Sequence, residues 1–304
     1  PQISIMMPVY NPKPKYFRAA LQSVLDQEYQ NWELCIADDA STNPEILQII
    51  QEFAQKDDRI RYVLRDENGH ISAASNSALE LVDGDYVALM DHDDLLHPLA
   101  LYEVAKCIDE NPGCVLIYSD EDKITRWGQR VDPYFKSDYD PELMLNHNMI
   151  NHLEVYRADF IRDVGGFRLG YEGSQDYDLA LRVIDRISPE QIKHIPKVLY
   201  HWRISALSTA GYVNVKPYAA ESAVRALNAH LERNSIDGSV TFEPFLAVYH
   251  PHYNLPSRPP QVRIIYYVRA ISGFTATSIE SLIEKTSYED FRITVCLGEH
   301  DAQL

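Results

Sequence analysis

Strand and helix patterns alternate regularly through residues 1–110 of this 304-residue chain. The short apolar runs ISIMMPVY, WELCIADD and YVALMD are typical of strands that are covered on both faces. The segments PEILQIIQEFAQ and PLALYEVAKCIDE carry apolar residues at helical spacing instead. This alternation predicts an α/β fold with a doubly wound, mostly parallel sheet flanked by helices.

Aspartates follow two of these predicted strands directly. Asp38 and Asp39 end the second strand, and Asp91, Asp93 and Asp94 follow the strand YVALMD. Ligands of open α/β sheets bind beyond the carboxyl ends of the strands. The sequence therefore predicts a ligand site at this edge of the sheet.

The second of these groups places three carboxylates within four residues. Clustered carboxylates raise one another's pKa and destabilise the fold unless a cation neutralises them. Their oxygens suit Mg²⁺ or Mn²⁺, which also hold substrate phosphates. The alternative is a solvated acidic turn before the helix that begins near Pro98. Three acids directly after a buried strand favour the metal interpretation for Asp91 and Asp93, whereas Asp94 is also explained as a helix-start acid.

Two weaker signals concern nucleotide binding. Asp38 and Asp39 are placed to accept hydrogen bonds from a base or a ribose, or simply to cap the next helix. Asn68 and Gly69 stand at a turn into a helix, where backbone N–H groups contact phosphates in many proteins. The P-loop pattern does not occur, so an ATPase has little support.

Two further candidates lie later in the chain. Ser174 is placed to cap the helix QDYDLALRVIDRI, which puts Asp176 in its first turn, where the helix dipole keeps a carboxylate ionised. An ionised carboxylate beside an acceptor hydroxyl can serve as a general base, although the residues alone slightly favour a plain first-turn acid for Asp176. His201 ends the predicted strand IPKVLYHWR, and a lone histidine there is more often structural.

Charge and composition exclude several classes of protein. The formal net charge of −17 argues against sequence-independent nucleic-acid binding. Apolar runs stay well short of the roughly 18–20 residues of a spanning helix, and PQISIMMPVYNP lacks the basic flank of a signal peptide. The four cysteines form no C-x-x-C pair and are expected to be reduced. These observations predict a cytoplasmic protein, with peripheral docking at the inner face of the plasma membrane left open.

The C-terminal part predicts a second, incomplete module. The proline-rich segment 250–261 reads as a linker after a main domain over 1–249. Beyond it, IESLIEKTSYEDFRITV matches LQSVLDQEYQNWELCI, which indicates that 262–304 is the truncated start of a repeat. The alternative is that any two strand–helix units look alike. Leu297 and Gly298 stand where Asp38 and Asp39 would align, so the repeat is depleted of acids.

The motifs together resemble the inverting family 2 glycosyltransferases of the GT-A fold, over roughly residues 3–235. Seven elements match in the family's order: ISIMMPVYNP, SVLDQEYQNWELCIADDAST, NGHISAASNSAL, GDYVALMDHDD, YSDEDK, GGFRLGYEGSQDYDLALR and HIPKVLYHWRISALSTA. The later elements look most like bacterial enzymes that build O-antigen and related surface polysaccharides. In such enzymes two modules often lie in tandem, which agrees with a partial repeat.

The resemblance implies roles for the matched positions. The nucleotide would be held by Pro8, Tyr10, Asp38 near the ribose, Asp39 at the base, Asn68, Gly69 and Asp91. The D-x-D element is matched by Asp91 and Asp93, with Asp93 as the direct metal ligand, and His201 matches a histidine that completes metal or diphosphate binding in some members. Asp176 matches the catalytic base.

Two positions depart from the family pattern. Gln175 stands where many relatives carry glutamate before the catalytic aspartate. Ser75 stands where many carry arginine before the asparagine matched by Asn76, which puts a phosphate contact there in doubt. The Q-x-x-R-W element of processive synthases is absent from the sequence, so the resemblance implies addition of one or a few sugars.

The resemblance thus implies a metal-dependent inverting transferase, with Mn²⁺ or Mg²⁺ as cofactor. It would move a sugar from a UDP- or dTDP-linked donor to a hydroxyl of a glycan or lipid-linked saccharide in surface polysaccharide synthesis. Two alternatives stay open. A sugar-nucleotide pyrophosphorylase needs a glycine-rich loop after the first strand, where PVYNPKPK has no glycine. A non-catalytic nucleotide-sugar or glycan-binding scaffold would need no intact acids.

Overall fold

A computed structural model describes residues 1–204, 217–269 and 271–297. It divides the chain into two compact units, Pro1–Tyr253 and Asn254–Leu304. The division falls inside the segment predicted as a linker. Within the described ranges, no helix combines the length and the apolar character needed to cross a membrane.

The first unit alternates strands and helices through its N-terminal half, as the sequence predicts. The strands there are Ile3–Val9 (β1), Trp32–Asp38 (β2), Ile60–Leu64 (β3), Tyr86–Leu89 (β4) and Leu95–Leu96 (β5). The helices between and after them are Pro14–Leu25 (α1), Pro44–Lys56 (α2), His70–Leu79 (α3) and Ala100–Glu110 (α4). Prolines at the start of α1 and α2 are well tolerated because the first helical N–H groups have no partner within the helix.

The rest of the first unit is less regular. Its strands are Leu116–Ile124 (β6), Arg130–Tyr134 (β7), Glu154–Arg157 (β8), Ile192–Arg203 (β9), Gly238–Glu243 (β10) and Val248–Tyr253 (β11). Its helices are Pro141–Asn146 (α5), Ala158–Asp163 (α6), Gln175–Ile184 (α7) and Pro217–Arg233 (α8). β10 and β11 form an antiparallel hairpin, so regular structure continues beyond residue 249, the predicted end of the domain.

A single large sheet organises the unit, in the order β3-β2-β1-β4-β8-β6-β9-β5, with β7 paired to β6. Six strands (β1, β2, β3, β4, β6 and β9) run in one direction. β5, β7 and β8 run the opposite way. The prediction of a mostly parallel, doubly wound sheet flanked by helices is confirmed. Because β1, β2, β4 and β9 are parallel, their carboxyl ends lie at the same edge of the sheet.

Burial on both faces explains the apolar runs. Along β1, Ile3, Ile5 and Met7 enter one hydrophobic core, whereas Met6 enters the other. Successive side chains of a strand point to opposite faces, so a strand with a core on each side is apolar at nearly every position. This packing fixes where the strands end, and therefore where the polar residues after them lie.

The second unit contains a strand–helix–strand element. Its parts are Val262–Val268 (β12), Gly273–Lys285 (α9) and Phe291–Leu297 (β13), and β12 pairs with β13 in parallel. This is the arrangement expected of an opening βαβ unit. Gly298, which the sequence aligns with Asp39, lies outside the described residues. That the unit is a truncated repeat stays a prediction.

Candidate active site

A cavity of about 300 Å³ opens at the edge where the parallel strands end. Among the described residues, its lining includes parts of β1 and α3, the loops after β4 and before β8, the start of α7, the end of β9 and the start of α8. That lining includes Pro8, Ser75, Asp91, Asp93, Asn151, His152, Gln175, Asp176, Trp202 and Arg203. Three of the carboxylates predicted from sequence are thus brought together.

Asp91 and Asp93 face this cavity from the loop after β4. The backbone N–H of Asp91 donates to the Tyr200 hydroxyl at 3.2 Å, which ties the loop to β9. Burial raises the pKa of Asp93, and the negative charge of Asp91 raises it further. Two carboxylates held in this way are destabilising unless a cation neutralises them.

The donor set fits a hard divalent cation. Mg²⁺ and Mn²⁺ are commonly bound through one or two carboxylates, with waters and substrate phosphates completing the coordination. In the part of the chain that the structure describes, no three His, Cys, Asp or Glu side chains form a metal-binding group. A cation at Asp91 and Asp93 would therefore depend on ligands from the substrate.

Asp94 has a different role from its two neighbours. It is buried and accepts a hydrogen bond from the Tyr200 hydroxyl at 2.7 Å and another from the Arg203 backbone N–H at 2.6 Å. Helix α4 begins only at Ala100, so the interpretation of Asp94 as a helix-start acid is wrong. Asp94 instead joins the loop after β4 to the end of β9.

The two aspartates at the end of β2, Asp38 and Asp39, are also buried. Asp39 accepts from the Arg65 guanidinium at 2.8 Å and from the Gly69 backbone N–H at 3.0 Å. The Asn68 side-chain amide donates to the Asp39 carbonyl oxygen at 3.3 Å. A Cβ at Gly69 would lie 2.6 Å from the Arg65 guanidinium, so a larger residue would displace this guanidinium from its present position. Asn68 and Gly69 thus hold Asp39 in place.

Asp38 carries an oxygen that nothing in the described protein satisfies. Its Oδ2 accepts from the Ser41 backbone N–H at 3.0 Å, whereas its Oδ1 is buried and has no partner among the described residues. Unsatisfied buried oxygens are few in folded proteins, and a bound water, ion or ligand is one source of the missing partner. Nearby at the end of β1, the Pro8 carbonyl oxygen lies 3.2 Å from a ring nitrogen of His92. Tyr10 follows and is 46% exposed.

Asp176 lies in the first turn of α7, as predicted. Its Oδ2 accepts from the Asn151 side-chain amide at 3.0 Å, and its Oδ1 accepts from the Tyr177 backbone N–H at 2.8 Å. Burial raises the pKa of Asp176. Ser174 occupies the N-cap position, but its hydroxyl donates to the Ala219 carbonyl oxygen at 2.9 Å and does not cap the helix.

A second carboxyl group lies close to Asp176. Glu154 is buried at the start of β8, where it accepts from the Tyr156 hydroxyl at 2.7 Å. Burial and the negative charge of Asp176 raise the pKa of Glu154 to about 7. Burial thus raises the pKa of both carboxyl groups.

Three consecutive acids on β6 each contact a histidine: Asp120 with His194 at 2.8 Å, Glu121 with His152 at 2.8 Å, and Asp122 with His201 at 2.6 Å. Only His152 of these histidines is in the cavity lining. Burial opposes a charged ring there, but the hydrogen bond and charge of Glu121 outweigh it and raise the pKa of His152 to about 9. Sequence reasoning missed His152 and Asn151, which stand in a polar stretch without periodicity.

His201 lies near the end of β9, as predicted, beside the acids of β6. Its Nδ1 contacts Asp122, which also pairs with Arg130 at 2.6 Å. Trp202 and Arg203, which follow it, line the cavity among the described residues, and His201 does not. A role for His201 as a metal ligand stays a prediction.

Ser75 and Gln175, the two departures from the family pattern, both line the cavity. Ser75 lines the cavity, so the position at which many relatives carry arginine has no cation here. Asn76 bonds the Phe167 backbone through both ends of its amide, each at 2.8 Å. A Cβ at Gly166 would lie 2.5 Å from the Asn76 side chain. Asn76 is therefore a structural residue, and Gln175 reaches the cavity beside Asp176.

A doubly wound sheet with these carboxylates at its strand ends is the arrangement of a GT-A glycosyltransferase. The model of the family described as "Glycosyl transferase family 2" matches residues 4–165. The chain belongs to that family.

Three known proteins show the extent of the likeness. The O-antigen biosynthesis protein RfbC of Myxococcus xanthus is 34% identical over 293 residues, which is 96% of this chain and 23% of that protein. S. aureus TarS 1-349, solved in complex with UDP-GlcNAc, has a TM-score of 0.58 at 18% identity and covers 77% of this chain and 72% of its own. The mannosyltransferase PcManGT from Pyrobaculum calidifontis, solved with GDP-Man and Mn²⁺, has a TM-score of 0.55 at 18% identity over 74% of this chain and 63% of its own. The chain spans less than a third of the length of the first curated relatives that it matches.

Proposed function

We propose that this glycosyltransferase moves a sugar from a nucleoside-diphosphate donor to a hydroxyl of a glycan or lipid-linked saccharide, with inversion at the anomeric carbon. The observation that carries the proposal is that Asp176 lies in the same cavity as Asp91 and Asp93. Asp176 can then accept a proton while Asp91 and Asp93 face the phosphates of the donor. The likeness to an O-antigen biosynthesis protein supports bacterial surface polysaccharide synthesis as the setting.

Asp176 is the proposed general base. Its Oδ2 is held by Asn151, and its Oδ1 by the backbone of the next residue, so the carboxylate has a fixed orientation. It removes the proton from the acceptor hydroxyl as that oxygen attacks the anomeric carbon from the face opposite the diphosphate. The new glycosidic bond forms as the bond to the diphosphate breaks, which inverts the configuration. General bases of this kind contribute about 10²–10⁴-fold to the rate.

Asp91 and Asp93 are proposed to hold Mn²⁺ or Mg²⁺ together with the donor diphosphate. The cation, when bound, would neutralise negative charge on the leaving diphosphate. Two further observations support this assignment. Both carboxylates face the cavity, and PcManGT was solved with Mn²⁺ as well as GDP-Man. His201 is left out of the proposed ligand set because, among the described residues, it does not line the cavity that Asp91 and Asp93 face.

The nucleoside is proposed to lie along the ends of β1 and β2. The buried Oδ1 of Asp38 needs a donor, which a ribose hydroxyl or a base N–H would supply. Asp39 is fixed by Arg65 and Gly69, and the exposed ring of Tyr10 offers a surface for stacking. UDP- and dTDP-linked donors both remain candidates, and the TarS structure was solved with UDP-GlcNAc.

The acceptor and the setting are proposed on wider grounds. An acceptor in surface polysaccharide synthesis would be a glycan or a lipid-linked saccharide, used at the cytoplasmic face of the plasma membrane.

Residues 262–304 are proposed to begin a second module without the acids of the first. One nucleotide per chain is therefore expected in calorimetry, even though two units are present.

Substitution of Asp176 tests the base directly. In Asp176→Asn, transfer should fall at least 10²-fold, whereas the affinity for nucleoside diphosphate should change little. The exposed Asp163 on α6 offers a matched control, and Asp163→Asn should keep full activity. A loss of transfer smaller than about tenfold in Asp176→Asn, with donor binding intact, would show that Asp176 is not the base.

Calorimetry separates the proposal from its two rivals. Binding of UDP or dTDP that requires Mn²⁺ is expected of the transferase, whereas a scaffold should bind without a metal. A pyrophosphorylase would form nucleotide sugar from a sugar 1-phosphate and a nucleoside triphosphate. Detection of that reaction would overturn the proposal.

A further inference from the structure

The side chain of Gln175 lines the cavity directly before the proposed base, Asp176. Its Oε1 accepts a hydrogen bond from the Gly173 backbone N–H at 2.9 Å. Only the oxygen of an amide can accept a hydrogen bond, so this contact fixes which end of the amide is the oxygen. Among the described residues, the Gln175 amide makes its hydrogen bond through Oε1 only. The NH₂ group is therefore left to donate to a ligand of the cavity.

The turn that carries this amide is held firmly against the start of α8. Gly173 has a φ of 83°, and a Cβ there would lie 2.8 Å from Cβ of Ala219 and 2.8 Å from Cε2 of Tyr218. The buried Ser174 hydroxyl also donates to the Ala219 carbonyl oxygen at 2.9 Å. The Gln175 amide thus extends from a fixed backbone, which is what a group that positions a substrate needs.

The charge of the neighbouring residue limits what this NH₂ group can bind. In the proposed function, Asp176 is the carboxylate that accepts the proton of the acceptor hydroxyl. A carboxylate on the acceptor beside it would be repelled by that negative charge. A neutral oxygen is therefore the better partner for the Gln175 amide. A carbonyl oxygen suits it well, since it has two lone pairs and no hydrogen of its own.

The cavity also offers an apolar surface. Ile71, Leu89, Phe167 and Trp202 belong to its lining. Binding sites of this kind combine apolar contacts with a small number of placed polar groups that give specificity. An acetamido group matches both features, because its carbonyl oxygen accepts from an amide N–H and its methyl group is apolar.

We propose that the acceptor is a sugar with an acetamido group, whose carbonyl oxygen accepts a hydrogen bond from Nε2 of Gln175. Because Gln175 and Asp176 are consecutive, the acetamido group and the hydroxyl that reacts should belong to the same sugar ring. This inference rests on the proposed function, and it names the chemical class of the acceptor. A site built around such a donor discriminates against the analogue without the carbonyl, since the donor is then left unpaired.

Two substitutions at Gln175 remove the donor in different ways. Gln175→Glu keeps an oxygen for the Gly173 N–H and replaces the NH₂ group with a second acceptor. Gln175→Met keeps a neutral side chain of similar length without strong hydrogen-bonding groups. Gln51, at an exposed position of α2, offers a matched control in Gln51→Glu.

The measurement is affinity for methyl glycosides by NMR titration, with Mn²⁺ and saturating UDP or dTDP. The probes are two matched pairs, N-acetylglucosamine with glucose and N-acetylgalactosamine with galactose. In at least one pair the wild type should bind the N-acetylated member about fivefold tighter or more. Both Gln175 variants should reduce this preference to within about twofold, whereas Gln51→Glu should keep it. Melting curves by circular dichroism check that each variant folds, and the wild-type preference is itself a test that needs no variant.

Four results would overturn the inference. They are a wild type that prefers neither N-acetylated probe, a preference that survives in both Gln175 variants, a preference that is also lost in Gln51→Glu, and a Gln175→Met protein that loses affinity for UDP-GlcNAc but not for UDP-glucose. The last result would place the amide at the donor sugar instead. If the wild type bound no nucleoside diphosphate with Mn²⁺, the proposed function would fail, and the inference with it. The two failures are distinguishable because the four results leave nucleotide binding by the wild type intact.

Discussion

The Asn151 side-chain amide donates to Oδ2 of Asp176 at 3.0 Å, which joins the loop before β8 to the first turn of α7. Asparagine amides that donate to a carboxylate favour its ionised form. The same contact orients the oxygen that we propose as the general base. Sequence motifs contain Asp176 but give no indication of Asn151, which lies 25 residues earlier.

Asn151→Ala should lower kcat by about tenfold, because one hydrogen bond that positions the base is lost. Burial already raises the pKa of Asp176, and loss of the amide donor should raise it further. The acidic limb of the pH–rate profile should therefore move to higher pH. Asn146→Ala, which removes only a bond to the Glu142 carbonyl oxygen, is the control. An unchanged acidic limb in Asn151→Ala would contradict this role.

Gly69→Ala should weaken nucleotide binding severalfold. The new Cβ would lie 2.6 Å from Nη2 of Arg65 and 2.8 Å from Cβ of Ala73, so the guanidinium must move away from Asp39. At Gly113 a Cβ meets no atom within 4 Å, and Gly113→Ala should therefore bind nucleotide as the wild type does. Titration of both variants with UDP or dTDP and Mn²⁺ measures the difference. Equal affinities would show that the Arg65–Asp39 pair does not support the nucleotide.

Tyr200→Phe should destabilise the fold by about 1–3 kcal/mol, because buried Asp94 loses a donor and the Asp91 N–H loses its acceptor. The loop that carries the proposed metal ligands should loosen, so Mn²⁺-dependent nucleotide affinity should fall as well. Tyr86→Phe removes a buried bond to the Cys114 carbonyl oxygen and serves as the control. Denaturant unfolding and calorimetry should separate the two variants. A Tyr200→Phe protein that is less stable but binds normally would contradict the link to the loop.

The Glu121–His152 pair should make stability depend on pH. The pKa of His152 is raised to about 9, so its contribution is complete below its ordinary value near 6.5 and is lost as the pH rises towards 9. Burial works against the charged form of Glu121, yet His152 lowers its pKa, so that contribution is lost only as the pH falls below about 4.5. Glu121→Gln should therefore cost most stability between about pH 4.5 and 6.5, and less near pH 9.5.

Thermal unfolding at pH 5.5, 7.5 and 9.5 checks this expectation. Glu80→Gln, at an exposed position after α3, should follow the wild type at every pH. A constant difference between Glu121→Gln and the wild type across the three pH values would show that the pair does not titrate as proposed.

The sheet and its acids follow from local sequence patterns. Continuous runs of apolar residues indicate strands with a core on each face. The carboxyl ends of parallel strands lie at the same edge of the sheet. Asp91 and Asp93 were therefore predictable as neighbours of the strand ends, and the family motifs added Asp176. The predicted fold and the predicted family are confirmed. The roles of these residues stay proposals.

The residues that the sequence did not predict depend on tertiary contacts. His152 is positioned by contacts with Glu121 and Tyr200, which lie far from it along the chain. The local sequence pattern therefore does not indicate its role. His201 and Trp202 are adjacent on β9, yet only Trp202 lines the cavity among the described residues. A strand end predicted from sequence does not indicate which side each residue faces. Asp94 likewise bonds to residues more than a hundred positions away.

The central claim is that this cavity uses a nucleoside-diphosphate sugar with a divalent cation. The most direct measurement is release of free nucleoside diphosphate from a panel of UDP-, dTDP- and GDP-linked sugars, by the wild-type chain and by Asp93→Asn. We predict that the wild type consumes at least one UDP- or dTDP-linked donor with Mn²⁺ or Mg²⁺, that EDTA stops the reaction, and that Asp93→Asn is nearly inactive. Release that continues unchanged in EDTA or in Asp93→Asn, or a folded wild type that neither binds nor consumes any donor of the panel, would contradict the account.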